Sequence, residues 1–391
     1  MDVVITGAAR TPMGGFQGAL SALSAAELGG AAIAAALARA GVAPERVEEL
    51  VMGCVLPAGQ GQAPARQAGF KAGLPQAVPA TTVNKMCGSG MKAAMIGFDQ
   101  IALGAANLLV AGGMESMSNA PYLLPKMRAG ARLGHTQAQD HMFLDGLEDA
   151  YDKGRLMGTF AEDCAAAFQF TRAEQDAYAL TSLGRAREAQ AGGGFAAEIV
   201  PVGVTTRAGR SEVAQDEQPL TARPEKIPAL KPAFREGGTV TAANSSSISD
   251  GAAALLLASA DLARAEGLPI RARILGHASH AQAPADFPTA PIPAARKLLA
   301  KLGWQPDDVD LWEVNEAFAV VPMAFERETG ISRDKLNVNG GACALGHPIG
   351  ASGARIIVTL LHALEARGLR RGLAAICIGG GEGTAIAIER P

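Results

Sequence analysis

The 391-residue sequence has no long apolar run, no block of charge of one sign, and only 4% aromatic residues. No stretch reaches the ~18 apolar residues of a membrane span, so we expect no membrane partner. The net charge is −3 and the basic residues are dispersed. This excludes nucleic acid as a main partner, because phosphate binding needs clustered Lys and Arg. The chain also begins without a basic, apolar leader, and we expect a cytoplasmic protein.

The cysteines are few and widely spaced, and none forms a C-x-x-C pair: Cys54, Cys87, Cys164, Cys343 and Cys377. We therefore predict no metal site, and in a reducing compartment all five should be thiols. Cys54 and Cys164 are interpreted as packing residues. The P-loop and G-x-G-x-x-G motifs are both missing, so we expect no nucleotide or other permanently bound cofactor.

Glycine, in contrast, is abundant at 47 residues, and the chain contains an internal duplication. An Ala- and Leu-rich helical pattern at 31–41 ends at glycine and is repeated at 294–303. The pair Val83-Asn84 is repeated as Val338-Asn339, and each pair leads through glycines into a long helical pattern. Strands and helices alternating at this spacing predict βαβ units with parallel pairing. We expect two similar α/β halves, with a site where their loops meet.

Further local signals define the elements. Ser24 and Glu27 form a capping box at the start of the first repeat helix. Residues 120–245 contain more charge and proline and predict an inserted, partly helical lobe that covers the site. Residues 251–258 are interpreted as a return strand of the first half, and 352–367 as the second-half counterpart of the helix that follows Cys87.

Cys87 lies in the stretch Val-Asn-Lys-Met-Cys-Gly-Ser-Gly, where we expect a helix to begin. The helix dipole and free N–H groups should lower the pKa of the thiol toward the thiolate. The alternative is a buried small hydrophobe, but small neighbours that admit a substrate favour a nucleophile.

Two further stretches repeat this design. His347 lies in an irregular Gly-His-Pro-Ile-Gly loop, suited to accepting a thiol proton. Cys377 ends an apolar strand before three glycines, where ligands of α/β proteins bind. Considered together with Cys87 and His347, Cys377 is a candidate base that removes a proton from carbon. Asn315 follows another strand and could orient a water, although a helix cap is the more usual role of such an asparagine.

Together these stretches, with Gly112 to Ser118, Asn244 to Gly251 and Asn339 to Gly353, resemble the thiolase family along nearly the whole chain. The resemblance implies a thiolase fold: two duplicated five-layered αβαβα halves with an inserted loop domain. Residues 1–119 plus 246–269 would form the N-terminal half and 270–391 the C-terminal half. Residues 120–245 would form the loop domain, for CoA binding and oligomerisation into a dimer or tetramer.

The implied activity is the formation or cleavage of 3-ketoacyl-CoA by a ping-pong mechanism, with acyl-CoA thioesters as substrates. Cys87 would carry the acyl group and Cys377 would be the α-carbon base. His347 would activate Cys87 and, with a water held by Asn315, form one oxyanion hole. The backbone N–H groups of Cys87 and Gly379 would form a second.

The substrate-binding residues that the resemblance implies are Ser246 toward pantetheine and, around the acyl group, Leu156, Met157, Phe234, Phe287 and Phe318. Leu156 stands where short-chain thiolases usually have histidine, and Ser247 where they have glycine. At position 287, the phenylalanine is similar to the residue found in thiolases that accept a 2-methyl branch. A broader, longer-chain or branched substrate therefore remains an alternative.

Two other classes are weighed. A ketoacyl synthase would have His or Asn in place of Cys377, which argues against it. A non-catalytic, lipid-binding relative should have lost at least one of Cys87, His347 and Cys377, and all three are present.

Overall fold

Fourteen strands and eleven α-helices alternate along the residues that the computed structural model describes, 1–207 and 209–391. The strands are β1 (Val3–Arg10), β2 (Gly14–Gly15), β3 (Glu49–Gly53), β4 (Ala80–Val83), β5 (Leu108–Ser116), β6 (Tyr122–Leu123), β7 (Gln139–Asp140), β8 (Val202–Thr206), β9 (Gly209–Val213), β10 (Ser249–Ser259), β11 (Ala272–Ala281), β12 (Leu311–Val314), β13 (Arg371–Ile378) and β14 (Glu382–Glu389). The helices are α1 (Ala25–Ala40), α2 (Pro64–Lys71), α3 (Ser89–Ala102), α4 (Met157–Ala167), α5 (Arg172–Ala191), α6 (Glu217–Thr221), α7 (Ala260–Glu266), α8 (Pro291–Leu302), α9 (Val320–Thr329), α10 (Ala342–Leu345) and α11 (Ile349–Arg367).

The large sheet has the strand order β12-β13-β14-β11-β1-β10-β5-β3-β4, with β2 paired to β10. Its two halves join where β1 runs antiparallel to β11 over three residue pairs. The return strand predicted at 251–258 is confirmed, since β10 lies between β1 and β5. The repeated units are β3 with β5 in one half and β12 with β13 in the other.

The predicted parallel pairing is wrong for much of this sheet. β3 is parallel to β4 and β5, and β12 is parallel to β13, but the other pairs that the structure describes are antiparallel. The physical reason is the return strands. β14 follows β13 after only three glycines, and a connection that short can join only antiparallel neighbours.

Helices fill three layers around the two half-sheets. α1 and α2 pack on the outer face of the first half, and α8 and α9 on that of the second. α3 and α11 lie between the halves and share an apolar core with residues of both. The order of layers is therefore helix, sheet, helix, sheet, helix.

Helix limits follow from local chemistry. Ser24 and Glu27 form the predicted capping box, and Gly41 ends α1 in the left-handed conformation with φ 67°. α11 begins at Ile349, three residues earlier than predicted, because Pro348 at its start has a φ of −67° that suits a helix entry. By length and hydropathy alone α11 could cross a membrane, but it is almost wholly buried in the core.

The inserted lobe is tied to the first half by a buried charge network. Arg10 is fully buried, donates from Nε to Glu198 at 2.5 Å, and donates from both terminal nitrogens to Asp216 at 2.7 and 2.9 Å. Burial opposes its charge, but the two carboxylates outweigh burial and raise the pKa of Arg10. Arg39 adds bonds to the carbonyls of Glu198 and Ile199.

Replacing Arg10 by methionine should leave Glu198 and Asp216 buried without their cation. Breaking one side of a buried ion pair costs about 3–5 kcal/mol. We expect an Arg10→Met loss of this size in the free energy of unfolding, measured by urea denaturation. Arg264→Met removes an exposed pair with Asp261 and should change it by less than about 0.5 kcal/mol. Equal losses in the two variants would contradict the role given to Arg10.

Candidate active site

Cys87 sits in a tight turn between β4 and α3. Met86, just before it, has a positive φ of 46°, which turns the chain sharply. The side chain of Ser89 closes the turn by accepting from the Lys85 N–H at 2.9 Å and donating to the Met86 carbonyl at 2.6 Å. A Cβ at Gly88 would overlap Cδ1 of Ile378. Only glycine therefore lets the turn approach the end of β13 this closely.

Cys377 is near the end of β13 and is fully buried. The structure brings it to Cys87, as predicted. The N–H of Gly379 donates to the Cys87 sulfur, and the charge of Cys87 contributes to the pKa of Cys377. Burial, and after it the neighbouring Cys87, raises the pKa of Cys377 well above its usual range. Both cysteines are thus thiols in the resting protein.

The prediction that the helix terminus lowers the pKa of Cys87 is wrong for the free protein. Burial raises it to about 11, although the N–H groups of Gly379 and Cys87 act in the opposite direction. Loss of hydration costs the thiolate more than two N–H donors return. Cys87 therefore needs a base before it can attack.

His347, between α10 and α11, is the candidate for such a base. Its Nδ1 lies 2.5 Å from the Ser352 hydroxyl oxygen, and that hydroxyl donates to the Pro348 carbonyl at 2.9 Å. Since the hydroxyl proton is used there, Nδ1–H is the donor to Ser352 and Nε2 carries a free lone pair. Nε2 has no protein partner. Burial, and then the positive charge of Arg355, lower the pKa of His347 to about 3, so the imidazole is neutral at rest.

The starts of α3 and α11 lie side by side, which places Cys87 and His347 in the same region. A Cβ on Gly90 would lie 3.1 Å from the Gly350 carbonyl oxygen, and Ile349 belongs to an apolar cluster that contacts Cys87. Glu115 connects the two helix starts to the end of β3. Its carboxylate accepts hydrogen bonds from the Gly350 N–H at 2.9 Å and from the N–H groups of Val55 and Leu56.

Asn315 follows β12 and is completely buried. The alternative that it caps a helix is wrong, because α9 begins only at Val320 and its cap position is Ala319. Arg355 donates to its side-chain oxygen at 3.5 Å, which leaves the Nδ2 group without a protein partner. Arg355 is itself 3.7 Å from the buried Glu313, whose pKa burial raises to about 8.

Four of the five predicted acyl-pocket residues belong to one apolar cluster: Met157, Phe234, Phe287 and Phe318. Phe318 packs edge-on against Phe234 and Phe287, with ring centres 5.9 and 6.5 Å apart. The sulfur of Met157 lies 3.6 Å from where a Cβ on Gly379 would be. Leu156 is half-buried directly before α4. A pocket wall of rings thus adjoins the turn that faces Cys87.

Ser246 is half-buried beside this cluster, and its N–H donates to the Ala317 carbonyl at 2.9 Å. Ser247 accepts the His347 N–H on its carbonyl oxygen at 3.1 Å. It also lines a cavity of about 280 Å³, together with Arg223, Lys226 and Cys343. Cys343 is half-buried and borders this cavity.

Several polar residues of the site were missed in the sequence. Ser352 and Arg355 lie three residues apart on α11, a helical spacing that could have indicated that they share a face. Glu316 accepts from Tyr178, Ser182 and Asn337 at 3.0, 2.8 and 2.9 Å. Nothing local in the sequence indicates that last set, because its members come from distant segments.

Comparison with known proteins agrees with this geometry. Residues 3–261 match the family described as thiolase, N-terminal domain, and residues 268–390 match thiolase, C-terminal domain. Acetyl-CoA acetyltransferase 2 of Arabidopsis thaliana is 52% identical over 99% of this chain and 97% of its own length. An acetyl-CoA acetyltransferase of Pseudomonas aeruginosa is 50% identical, covering 100% and 99%.

Solved structures are equally similar. The Bacillus anthracis acetyl-CoA acetyltransferase superposes with a TM-score of 0.97 at 42% identity, covering 100% of this chain and 99% of its own. The Acat5 thiolase of Ascaris suum, in complex with coenzyme A, has a TM-score of 0.94 at 42% identity with full coverage of both chains. The predicted family and fold class are confirmed: this chain belongs to the thiolase family.

Proposed function

We propose that the protein is an acetyl-CoA C-acyltransferase that joins two acetyl-CoA molecules into acetoacetyl-CoA plus CoA, or runs the reverse thiolysis. The observation that carries this is the meeting of Cys87, Cys377 and the Gly379 N–H in one place. The enzyme class also agrees with the names of relatives that are about half identical over the full chain.

The first half-reaction follows from the protonation states. Neutral His347 accepts the Cys87 proton on Nε2, and the thiolate attacks the thioester carbon. The N–H groups of Cys87 and Gly379, both close to the Cys87 sulfur, would stabilise the tetrahedral oxyanion. When CoA leaves as a thiolate, the Cys377 thiol can give it a proton. This leaves acetyl-Cys87 and a Cys377 thiolate.

The second half-reaction uses that thiolate. Cys377 removes a proton from the α-carbon of the next acetyl-CoA, and the developing enolate needs donors to stabilise it. The free Nδ2 of Asn315 could position such a donor beside protonated His347. The carbanion then attacks acetyl-Cys87. The Cys87 thiolate leaves and regains its proton from His347, so the cycle closes without a redox partner.

The far end of the substrate has a matching surface. CoA carries anionic phosphates on a long, less polar arm. The cavity beside Ser247 is lined by Arg223 and Lys226 together with apolar residues of α5, which supports binding of the phosphates there.

A homo-oligomer, a dimer or tetramer, is part of the proposal. Large apolar side chains are exposed between β5 and α4, among them Tyr122, Leu124 and Leu133. Their concentration in one segment supports a contact surface between subunits. A reducing, cytoplasmic location is also proposed, because all five cysteines are thiols and the reaction needs two of them.

The acyl pocket supports a short acyl group. Phe287 and Phe318 are only 3% and 8% exposed, and Phe160 adds a further edge contact to Phe287. The ring of Phe234 lies so close to Gly158 that a Cβ there would overlap it. Apolar Leu156 favours a larger acyl group, but the rings leave little space for one. Longer-chain or 2-methyl-branched thiolysis is therefore the second candidate.

Incubation with acetyl-CoA should add one acetyl group to Cys87, detected by mass spectrometry of the peptide. Cys377→Ala should still accumulate this mark, while condensation falls by about 10²–10⁴-fold because the α-carbon base is gone. Val204→Ala, a buried substitution in β8, serves as control and should retain activity. An unmodified Cys87 in the wild-type protein would exclude the proposed mechanism.

The rate of Cys87 acetylation should be nearly independent of pH. With a pKa of about 3, His347 stays neutral and loses its function only as the pH falls toward that value. We therefore expect a flat single-turnover rate from about pH 5.5 to about pH 8.5. Thermal melting across the same range controls for unfolding. A fall in the acetylation rate at low pH, with its midpoint at the ordinary histidine pKa of 6.5, would show that His347 is not held neutral.

Phe287→Ala should widen the pocket. Relative to acetoacetyl-CoA, thiolysis of 3-ketohexanoyl-CoA should improve about tenfold, since two extra methylenes gain a place to be buried. Phe170→Ala removes a buried ring that stacks on Phe168 and should leave this ratio unchanged. If the wild-type protein already prefers the longer substrate, the second candidate function replaces the first.

A further inference from the structure

The two turns that face each other in the site come from different halves of the chain, and each contains glycine. The turn after β4 carries Cys87 and Gly88, and the turn after β13 is Gly379-Gly380-Gly381. Gly380 and Gly381 have φ values of 94° and 88°. Glycine turns have unusual conformational freedom, so the distance between the two N–H groups of the oxyanion hole is not set by the turns themselves.

Three contacts join these turns. Ile378 packs against Gly88, and the Gly379 N–H donates to the Cys87 sulfur. The third contact is an ion pair between the Lys85 ammonium and the Glu382 carboxylate. The first two are made by the reacting region itself. The ion pair is the one that uses side chains outside the reaction.

Both charged residues stand where their backbones are firm. The N–H of Lys85 is bonded to Ser89 at the start of α3. Glu382 is the first residue of β14, paired with Ile378 in the sheet. The ion pair therefore links the bases of the two turns. The Lys85 side chain is 23% exposed and that of Glu382 is 36%, so solvent screens the pair only in part.

We propose that Lys85 and Glu382 are positioning residues whose ion pair holds the Cys87 turn against the Gly379 turn. It keeps the Cys87 and Gly379 N–H groups directed at one oxygen during acyl transfer. This inference rests on the proposed function, because the proposed function assigns those N–H groups to the oxyanion. The inference adds two residues, Lys85 and Glu382, that are not themselves reacting groups.

Lys85 has a competing role, that of a CoA phosphate ligand. The cations that line the cavity assigned to CoA are Arg223 and Lys226, and Lys85 is not part of that lining. A ligand role would also leave Glu382 without a function. The two roles differ in what they change. Positioning acts on the rate of acyl transfer, and phosphate binding acts on the KM for acetyl-CoA.

The test uses full-length Lys85→Met, Glu382→Gln, and the swapped variant with Lys85→Glu and Glu382→Lys. The single-turnover rate of Cys87 acetylation and the KM for acetyl-CoA are measured for each. Each single variant should lower the rate about threefold to tenfold, with KM within about twofold of wild type. The swapped variant should react faster than either single variant. Lys71→Met, which removes a surface pair with Glu27, should have no effect.

Single variants that match wild type, a swapped variant no faster than either of them, or a change confined to KM would each overturn the positioning role. Melting temperatures identify a variant that fails to fold. If Lys85→Met fails to fold, the near-isosteric Glu382→Gln still tests the ion pair. Absence of acetylation in the wild-type protein would instead overturn the proposed function.

Discussion

The site depends on the close approach of α3 and α11, whose backbones meet at glycines. A Cβ on Gly90 would lie 2.7 Å from the Ala354 nitrogen, and one on Gly353 would overlap the Met91 nitrogen. Since α3 begins two residues after Cys87 and α11 two residues after His347, this crossing sets the separation of thiol and imidazole. A larger residue at either glycine would push the two reacting groups apart.

The same crossing explains why two similar halves make a single site. Each half brings a strand, a glycine-rich turn and a long helix, and the two helices form the middle layer. The turns must therefore open toward the same edge. Glu115 of the first half bonds to the Gly350 N–H of the second. The two halves are thus joined by hydrogen bonds as well as by apolar packing.

Much of this could be predicted from the sequence, because the signals are local. Cys87, His347 and Cys377 each stand in a glycine-rich turn at an element end, and the Ser24–Glu27 capping box and the strand β10 were placed correctly. The antiparallel direction of the return strands was not foreseen, since helix–strand alternation predicts parallel pairing. The role of Asn315 was also ambiguous, because only the structure shows that no helix begins there.

The pKa of Cys87 shows what local sequence cannot provide. A helix start favours the thiolate, but the opposing effect is desolvation, which depends on residues from both halves. The partner of His347 was missed for a related reason. Ser352 bonds to Nδ1 only because α11 starts at Ile349, one turn earlier than its pattern indicates. That shift brings the hydroxyl beneath the imidazole.

Burial that disfavours the thiolate is compatible with catalysis once all three reacting groups are considered. In the resting state Cys87, Cys377 and His347 are all neutral, because burial raises the pKa of each thiol and lowers that of the imidazole. Apolar rings such as Phe318 can then pack beside the site without desolvating a charge on the reacting groups. In the proposed reaction, charge arises only during acyl transfer and condensation, where the low local dielectric would strengthen the bonds from the Cys87 and Gly379 N–H groups to the oxyanion. The condition that makes the thiols unreactive at rest is thus the one that makes their oxyanion hole effective.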